Sequence, residues 1–280
     1  MAQPTPLFIL PIPISSQSQP GTLTCTTPSP SHPNLYLLTF SSPPDNRLTT
    51  AFCQTFLHAL DILESSYPVG ALCITSGIPK FFSNGLDLNH ALATEGFLEK
   101  SLYVLWKRLL TFPMPTISLL PGHAFAGGLM TAMYTDYRIF NPSRGFLCVN
   151  EVEFGVALKP PMSSIFRQKL PSPATYRSLV LEAKRFNGEA ALKEGLVDVL
   201  GGWEDVLKLV DERKLLEKGK SGIYGMLRAE MWRESLGYLE GHKESEERER
   251  VYIDREKKRK EDARNIVAEW ERQAKKTSKL

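Results

Sequence analysis

Apolar positions along the chain fall alternately into short unbroken runs and into four-residue periodicities. "NLYLLTF", residues 34–40, reads as a buried strand, because it is short and almost wholly apolar. "SSPPDNRL" ends it with turn-forming residues. From Asn46 onward Leu48, Phe52, Phe56 and Leu60 recur every four positions, which predicts a helix. "ALCITSG" (71–77) predicts the next strand, and 96–112 a helix with Leu102, Leu105, Trp106 and Leu109 on one face. "PTISLLPGHAFAGG" then gives a strand, a turn and a small-residue segment, and "LMTAMYTDYRIF" carries a helix into another strand. Strands alternating with helices indicate an α/β chain joined by crossover helices.

The flanks differ from this core. Residues 1–33 are rich in Pro, Ser and Thr, and "LFILPIPI" and "TLTCT" predict an irregular hairpin at a sheet edge. From about residue 174 the pattern turns helical, "GEAALKEGLVDVL" and "WEDVLKLVDERKLLEKG" included, and 222–276 predict one or more long charged helices. The expected organisation is an edge segment (1–33), a core (34–205), charged C-terminal helices (206–277) and a terminal tripeptide (278–280). No internal repeat is visible.

Charge changes this picture little. Lys and Arg number 34 against 31 acidic residues, a net +3, which gives no electrostatic basis for a nucleic-acid partner. The run "DREKKRKEDAR" mixes signs and reads as a solvated helix face. Four cysteines, Cys25, Cys53, Cys73 and Cys148, show no paired or His-linked spacing. Three of them lie in apolar or strand-like surroundings and predict buried thiols of a reducing compartment, and neither a disulfide framework nor a zinc site is expected. No apolar run approaches the roughly 18 residues of a membrane span, and the proline-broken N-terminus is a poor signal peptide. Ser278-Lys279-Leu280 has the form of a peroxisomal import address, so peroxisomal residence and an import receptor as partner are expected.

Two stretches carry candidate chemistry. In "FFSNGLDLNHAL" (81–92) a strand candidate runs into the turn formers Ser83-Asn84-Gly85, then Leu86 and Asp87. Such a turn can present the Leu86 N–H. In "PGHAFAGGLMTAMYTD" (121–136) Ala126-Gly127-Gly128 opens a helix, where backbone N–H groups are unpaired and carry the positive end of the helix dipole. The same small residues also suit tight helix packing. Two N–H groups from separate loops, converging on one carbonyl oxygen, would make an oxyanion hole.

"FFSNGLD", "GHAFAGG" and "NEVEFG", in this order, resemble the enoyl-CoA hydratase/isomerase (crotonase) superfamily over roughly residues 34–205. "LVLEAKRFNGEAALKEGLVDVL" resembles its later helical segment. The resemblance implies an α/β spiral of repeated β-β-α units with C-terminal helices that pack into a trimer or hexamer. It implies an acyl-CoA thioester as ligand, with no further cofactor because CoA arrives with the substrate. Carried over by position, Leu86 and Gly127 are the hole donors, and Glu151, ahead of Gly155, is the catalytic carboxylate. Ser83, Asn84, Gly85 and Asp87 of the turn, with Arg47, are the implied substrate-binding residues, Arg47 near a CoA phosphate. No metal ligand is implied.

Hydratases of the family carry a second glutamate three residues after the hole glycine, where this chain has Met130. Hydration needs a held water and two carboxylates; moving a double bond from C3 to C2 needs one base. The expected activity is therefore conversion of a 3-enoyl-CoA to a 2-trans-enoyl-CoA in fatty-acid breakdown, through an enolate. The alternatives are hydration, thioester hydrolysis or a secondary-metabolite step on the same hole, or a catalytically silent acyl-CoA-binding protein. An extended segment would place Glu153 beside Glu151 as a possible second carboxylate. His123 is expected to pack and Asp136 to pair within the scaffold.

Overall fold

Two sheets built from parallel crossovers position the chain in a computed structural model that describes residues 5–14 and 19–277. Ser278-Lys279-Leu280 lie outside the described residues. The larger sheet has seven strands: β1 (Phe8–Ile12), β2 (Gly21–Thr26), β3 (Leu35–Ser41), β4 (Ala71–Ser76), β6 (Thr116–Leu120), β8 (Tyr137–Phe140) and β10 (Val199–Leu200), side by side in that order. The N-terminal pair forms an antiparallel hairpin, Phe8 opposite Cys25, with β1 at the edge. From β3 onward neighbours are parallel, which requires the crossover helices α1 (Thr50–Ser66), α3 (Tyr103–Leu110) and α4 (Gly127–Met133). A short helix, α2 (Leu88–Ala93), precedes α3.

The smaller sheet has three parallel strands, β5 (Phe81–Ser83), β7 (His123–Phe125) and β9 (Leu147–Cys148). After it come α5 (Glu151–Phe154), α6 (Pro160–Lys169), α7 (Pro173–Leu181) and α8 (Gly188–Lys193). The C-terminal run comprises α9 (Trp203–Arg213), α10 (Leu215–Lys218), α11 (Tyr224–Met231), α12 (Arg233–Glu240) and α13 (His242–Thr277).

All six positions of β4 are buried because both sheet faces are covered. Leu72 and Ile74 join Phe52, Phe56 and Leu60 of α1 in the main core. Ala71 and Cys73 face the other way, with Ile117 and Ile139, against Val206, Leu209 and Val210 of α9. Leu239, with Trp232 and Leu236 packed alongside, joins the main core, so the compact unit extends to Leu239. A separate unit begins at Glu240, the last residue of α12, and its described residues from His242 to Thr277 form the single helix α13. Among the described residues no helix is long and apolar enough to cross a membrane. All four cysteines are buried and free.

Three elements differ from expectation. The helix expected from Asn46 begins at Thr50, with the Thr49 side chain accepting from Phe52 N as its cap. Asn46 instead sits at φ 55° and ties three strands together, its Oδ1 accepting from Ser42 N (2.7 Å) and its Nδ2 donating to Ser76 Oγ (2.7 Å) and Phe82 O (3.0 Å). The helix expected over 96–112 opens with a π turn at Leu98–Leu102 before α3. "VDVL" lies within a segment read as helical, yet Val199 and Leu200 form strand β10, paired with Ile139 and Phe140. Gly195, at φ 74°, closes α8 first and frees these residues to extend.

Candidate active site

The three segments singled out in the sequence all leave the C-terminal ends of the small sheet's parallel strands. β5 runs into Asn84–Asp87, β7 into Ala126 and α4, and β9 into α5. Parallel strands deliver their following loops to one edge of the sheet, the edge at which α/β proteins build sites.

Leu86 is held by a one-residue bridge to Leu48. Leu48 N donates to Gly85 O (2.9 Å), and Asp87 N donates to Leu48 O (3.2 Å). Leu86 N–H has no acceptor among the described residues. Gly85 lies at φ 82°, a conformation side chains rarely adopt. A Cβ built there would also stand 3.0 Å from the Ala126 Cβ and 3.2 Å from Gly127 N, so the two loops touch through backbone.

Gly127 is the first residue of α4, and its N–H likewise has no acceptor among the described residues. Ala126 ahead of it is held at φ 50°, ψ −125°, a strained region for a residue with a side chain, costing on the order of 1–3 kcal/mol. Ala126 N donating to Cys148 O (2.8 Å) and Met130 N donating to Ala126 O (3.0 Å) hold it there.

Both residues line a cavity of about 330 Å³, with apolar walls that include Trp106, Met130, Met162 and Phe154. Trp106 is fully buried and locked: its Nε1 donates to Thr131 Oγ1 (2.9 Å), and it stacks on Tyr134. Arg47 and Glu151 are the only charged side chains among the described lining residues.

Glu151 opens α5 with Oε2 buried and without a hydrogen-bond partner. Desolvation pushes its carboxyl up to about 7, against a smaller lowering by its own backbone N–H. Glu153 behaves differently. The segment is a helical turn, not extended, so residues two apart point to widely separated directions. Glu153 is half exposed, absent from the cavity wall, and 4.0 Å from Arg185 Nη2.

The remaining candidates divide. Asn84 lines the cavity, as does Arg47. Ser83 does not: its Oγ donates to Asn46 O (2.7 Å) and accepts from Gly85 N (3.1 Å), setting the turn. Asp87 caps α2 by accepting from His90 N (2.9 Å). His123 stacks against Phe146 and accepts from Phe146 N through Nδ1. Burial and the nearby Lys80 and Arg185 lower its pKa. Asp136 binds the scaffold: its Oδ2 accepts from Thr116 N (2.8 Å), and Arg228 Nε stands 2.7 Å from its Oδ1. Among the described residues no group of three or more His, Cys, Asp and Glu could hold a metal ion.

Sequence reasoning missed the role of Asp45, whose Oδ2 accepts from Arg47 Nε (3.0 Å) and Asn84 Nδ2 (2.6 Å). It also read Trp106 only as a helix face. No sequence signal separates a core aromatic from one that also lines a cavity.

The model of the family described as enoyl-CoA hydratase/isomerase matches residues 31–267. An Arabidopsis thaliana protein named enoyl-CoA delta isomerase 2, peroxisomal, is 33% identical over 221 residues, 74% of this chain and 92% of the relative. Enoyl-CoA delta isomerase 1, peroxisomal, of the same plant is 30% identical over 75% of this chain and 91% of its own length. Among solved structures, human mitochondrial delta3-delta2-enoyl-CoA isomerase superposes with a TM-score of 0.67 at 24% identity, covering 75% of this chain and 83% of the human one.

Proposed function

The chain belongs to the enoyl-CoA hydratase/isomerase family, and from that premise we propose that it is an enoyl-CoA delta isomerase, converting a 3-enoyl-CoA to the 2-trans-enoyl-CoA. The thioester carbonyl enters the cavity with its oxygen toward the N–H groups of Leu86 and Gly127. Glu151, ionised, removes a proton from C2. The electrons move onto the thioester oxygen, and the enolate is stabilised by the two donors, which gain strength in an apolar cavity. Protonated Glu151 then returns the proton to C4, and the double bond comes to rest between C2 and C3. No net oxidation occurs, and the base is regenerated.

One observation supports this reading over hydration. Glu151 is the only carboxylate among the described residues lining the cavity, and Met130, buried and apolar, stands in the wall where hydration would need a second. A pKa near 7 suits a single base that must both take and return a proton near neutral pH. The test offers 3-enoyl-CoA and 2-enoyl-CoA separately and identifies the products. The 3-enoyl ester should convert to 2-trans-enoyl-CoA, and rapid formation of 3-hydroxyacyl-CoA from the 2-enoyl ester would overturn the assignment.

The family pattern supports a homo-trimer or hexamer, checked by sedimentation. Peroxisomal residence is supported by the names of the plant relatives and by Ser278-Lys279-Leu280, which acts as an address where it stands at a free C-terminus. The human structure's name is mitochondrial. Imaging the protein with and without the tripeptide decides between the two compartments.

A further inference from the structure

We infer that Arg47 is a positioning residue for the oxyanion hole, acting through the Leu86 carbonyl, and that Asp45 orients it. This rests on the isomerase reading only for the identity of the substrate.

The backbone pairing sets up the need. Leu48 uses its N–H and C=O on Gly85 O and Asp87 N. In a parallel bridge the residue opposite, Leu86, therefore turns its own N–H and C=O to the far edge. A donor and an acceptor thus leave the same residue on the same side. An unquenched carbonyl dipole there would oppose the negative charge that the adjacent N–H is meant to receive.

Arg47 occupies that carbonyl. Its Nη1 donates to Leu86 O (3.1 Å), while its Nε donates to Asp45 Oδ2 (3.0 Å). Asp45 is mostly buried, at 13% side-chain exposure, against 41% for Arg47. The same Asp45 oxygen accepts from Asn84 Nδ2 (2.6 Å), and Asn84 N donates to Asp45 O (3.0 Å). One carboxylate therefore clamps both the guanidinium and the start of the turn that carries Leu86. Two fork positions of Arg47 are committed to this arrangement, and the charge it brings to the cavity wall has the sign an enolate oxygen requires.

A phosphate contact is the rival role for Arg47, and the two separate by experiment. Arg47→Met, Arg47→Lys and Asp45→Asn would be assayed on a 3-enoyl thioester of CoA and on the same acyl group carried by N-acetylcysteamine, which has no phosphate. Folding would be checked by circular dichroism. The positioning role predicts that Arg47→Met lowers kcat on both thioesters by the same factor, roughly tenfold or more but less than the 10²–10³ of losing a donor outright. Arg47→Lys should recover part of the loss, and Asp45→Asn should fall between. A normal rate on the short thioester, with only the KM for the CoA ester raised, overturns the inference in favour of phosphate binding.

A second readout needs no turnover. The carbonyl stretch of a bound 2,4-dienoyl thioester, followed by difference Raman spectroscopy, reports polarisation by the hole whichever reaction the enzyme performs. Its shift to lower frequency should shrink in Arg47→Met. An unchanged shift overturns the inference even if the natural reaction proves not to be isomerisation.

Discussion

A Cβ built on Gly128 would stand 2.5 Å from the carbonyl oxygen of Ser83. The end of β5 and the start of α4 thus meet backbone to backbone, and this contact sets the spacing of the two loops that carry Leu86 and Gly127. Neither partner can yield by rotating a side chain. At Gly127 the added atom would meet the Leu86 Cδ2 at 3.2 Å, the far end of a flexible side chain. Gly128→Ala should therefore destabilise the fold by about 1–3 kcal/mol, and Gly127→Ala by less. Thermal or urea unfolding of the two variants checks the order, and a larger loss at Gly127 would contradict it.

Glu151→Gln keeps the side chain's shape and removes the proton acceptor. Its kcat should fall by about 10²–10⁴, while Glu153→Gln, outside the cavity, stays near wild type. The wild-type rate should rise with pH through about 7, because the base must be ionised to act. A dead Glu153→Gln beside an active Glu151→Gln would exchange the two assignments.

The same carboxyl makes a statement about stability. Its folded pKa is raised from 4.5 to about 7, so between those values the folded state holds a proton that the unfolded chain releases. The stabilisation tied to that proton is complete below 4.5 and is lost as pH climbs through 7. Glu151→Gln has no such titration. From about pH 4 to about pH 8 the unfolding free energy of the variant should gain on wild type by about 3 kcal/mol. Parallel pH profiles for the two proteins would mean that Glu151 is not held in a desolvated site.

Leu86 is proposed to act through its N–H. Leu86→Ala should be mild, since the backbone donor remains. Leu86→Pro removes it, at about 3–4 kcal/mol of transition-state stabilisation, provided circular dichroism shows a folded chain. Comparable rates for alanine and folded proline variants would take this turn out of the hole.

Trp106 forms part of the cavity wall, while its Nε1 is anchored on Thr131. Trp106→Ala should cost about 3–5 kcal/mol of stability and shift preference toward longer or branched acyl chains. Competition assays across a series of acyl lengths measure the shift, and an unchanged profile would place the acyl chain elsewhere.

Much of this protein follows from local pattern. The apolar run at 34–40 dictates β3, and the unbroken apolar stretch from Ala71 dictates a strand covered on both faces. The face shared by Leu105, Trp106 and Leu109, continued from Leu102 of the π turn, dictates α3. Gly127-Gly128 had to open a helix, and Glu151 had to stand ahead of Gly155, because these are statements about neighbours in the chain. Tertiary structure decided what neighbours cannot. Three short strands pairing in parallel carried Leu86, Gly127 and Glu151 to one edge of a small sheet, although up to 65 residues separate them. Packing around Glu151 left its Oε2 buried and without a hydrogen-bond partner, and this desolvation raised its proton affinity. Rotation by a helical turn removed Glu153 from the same cavity. Burial of Asn46 at φ 55° turned a presumed helix start into a clamp on three strands. Each of these depends on desolvation or on contact between distant segments, quantities that spacing along a chain does not contain.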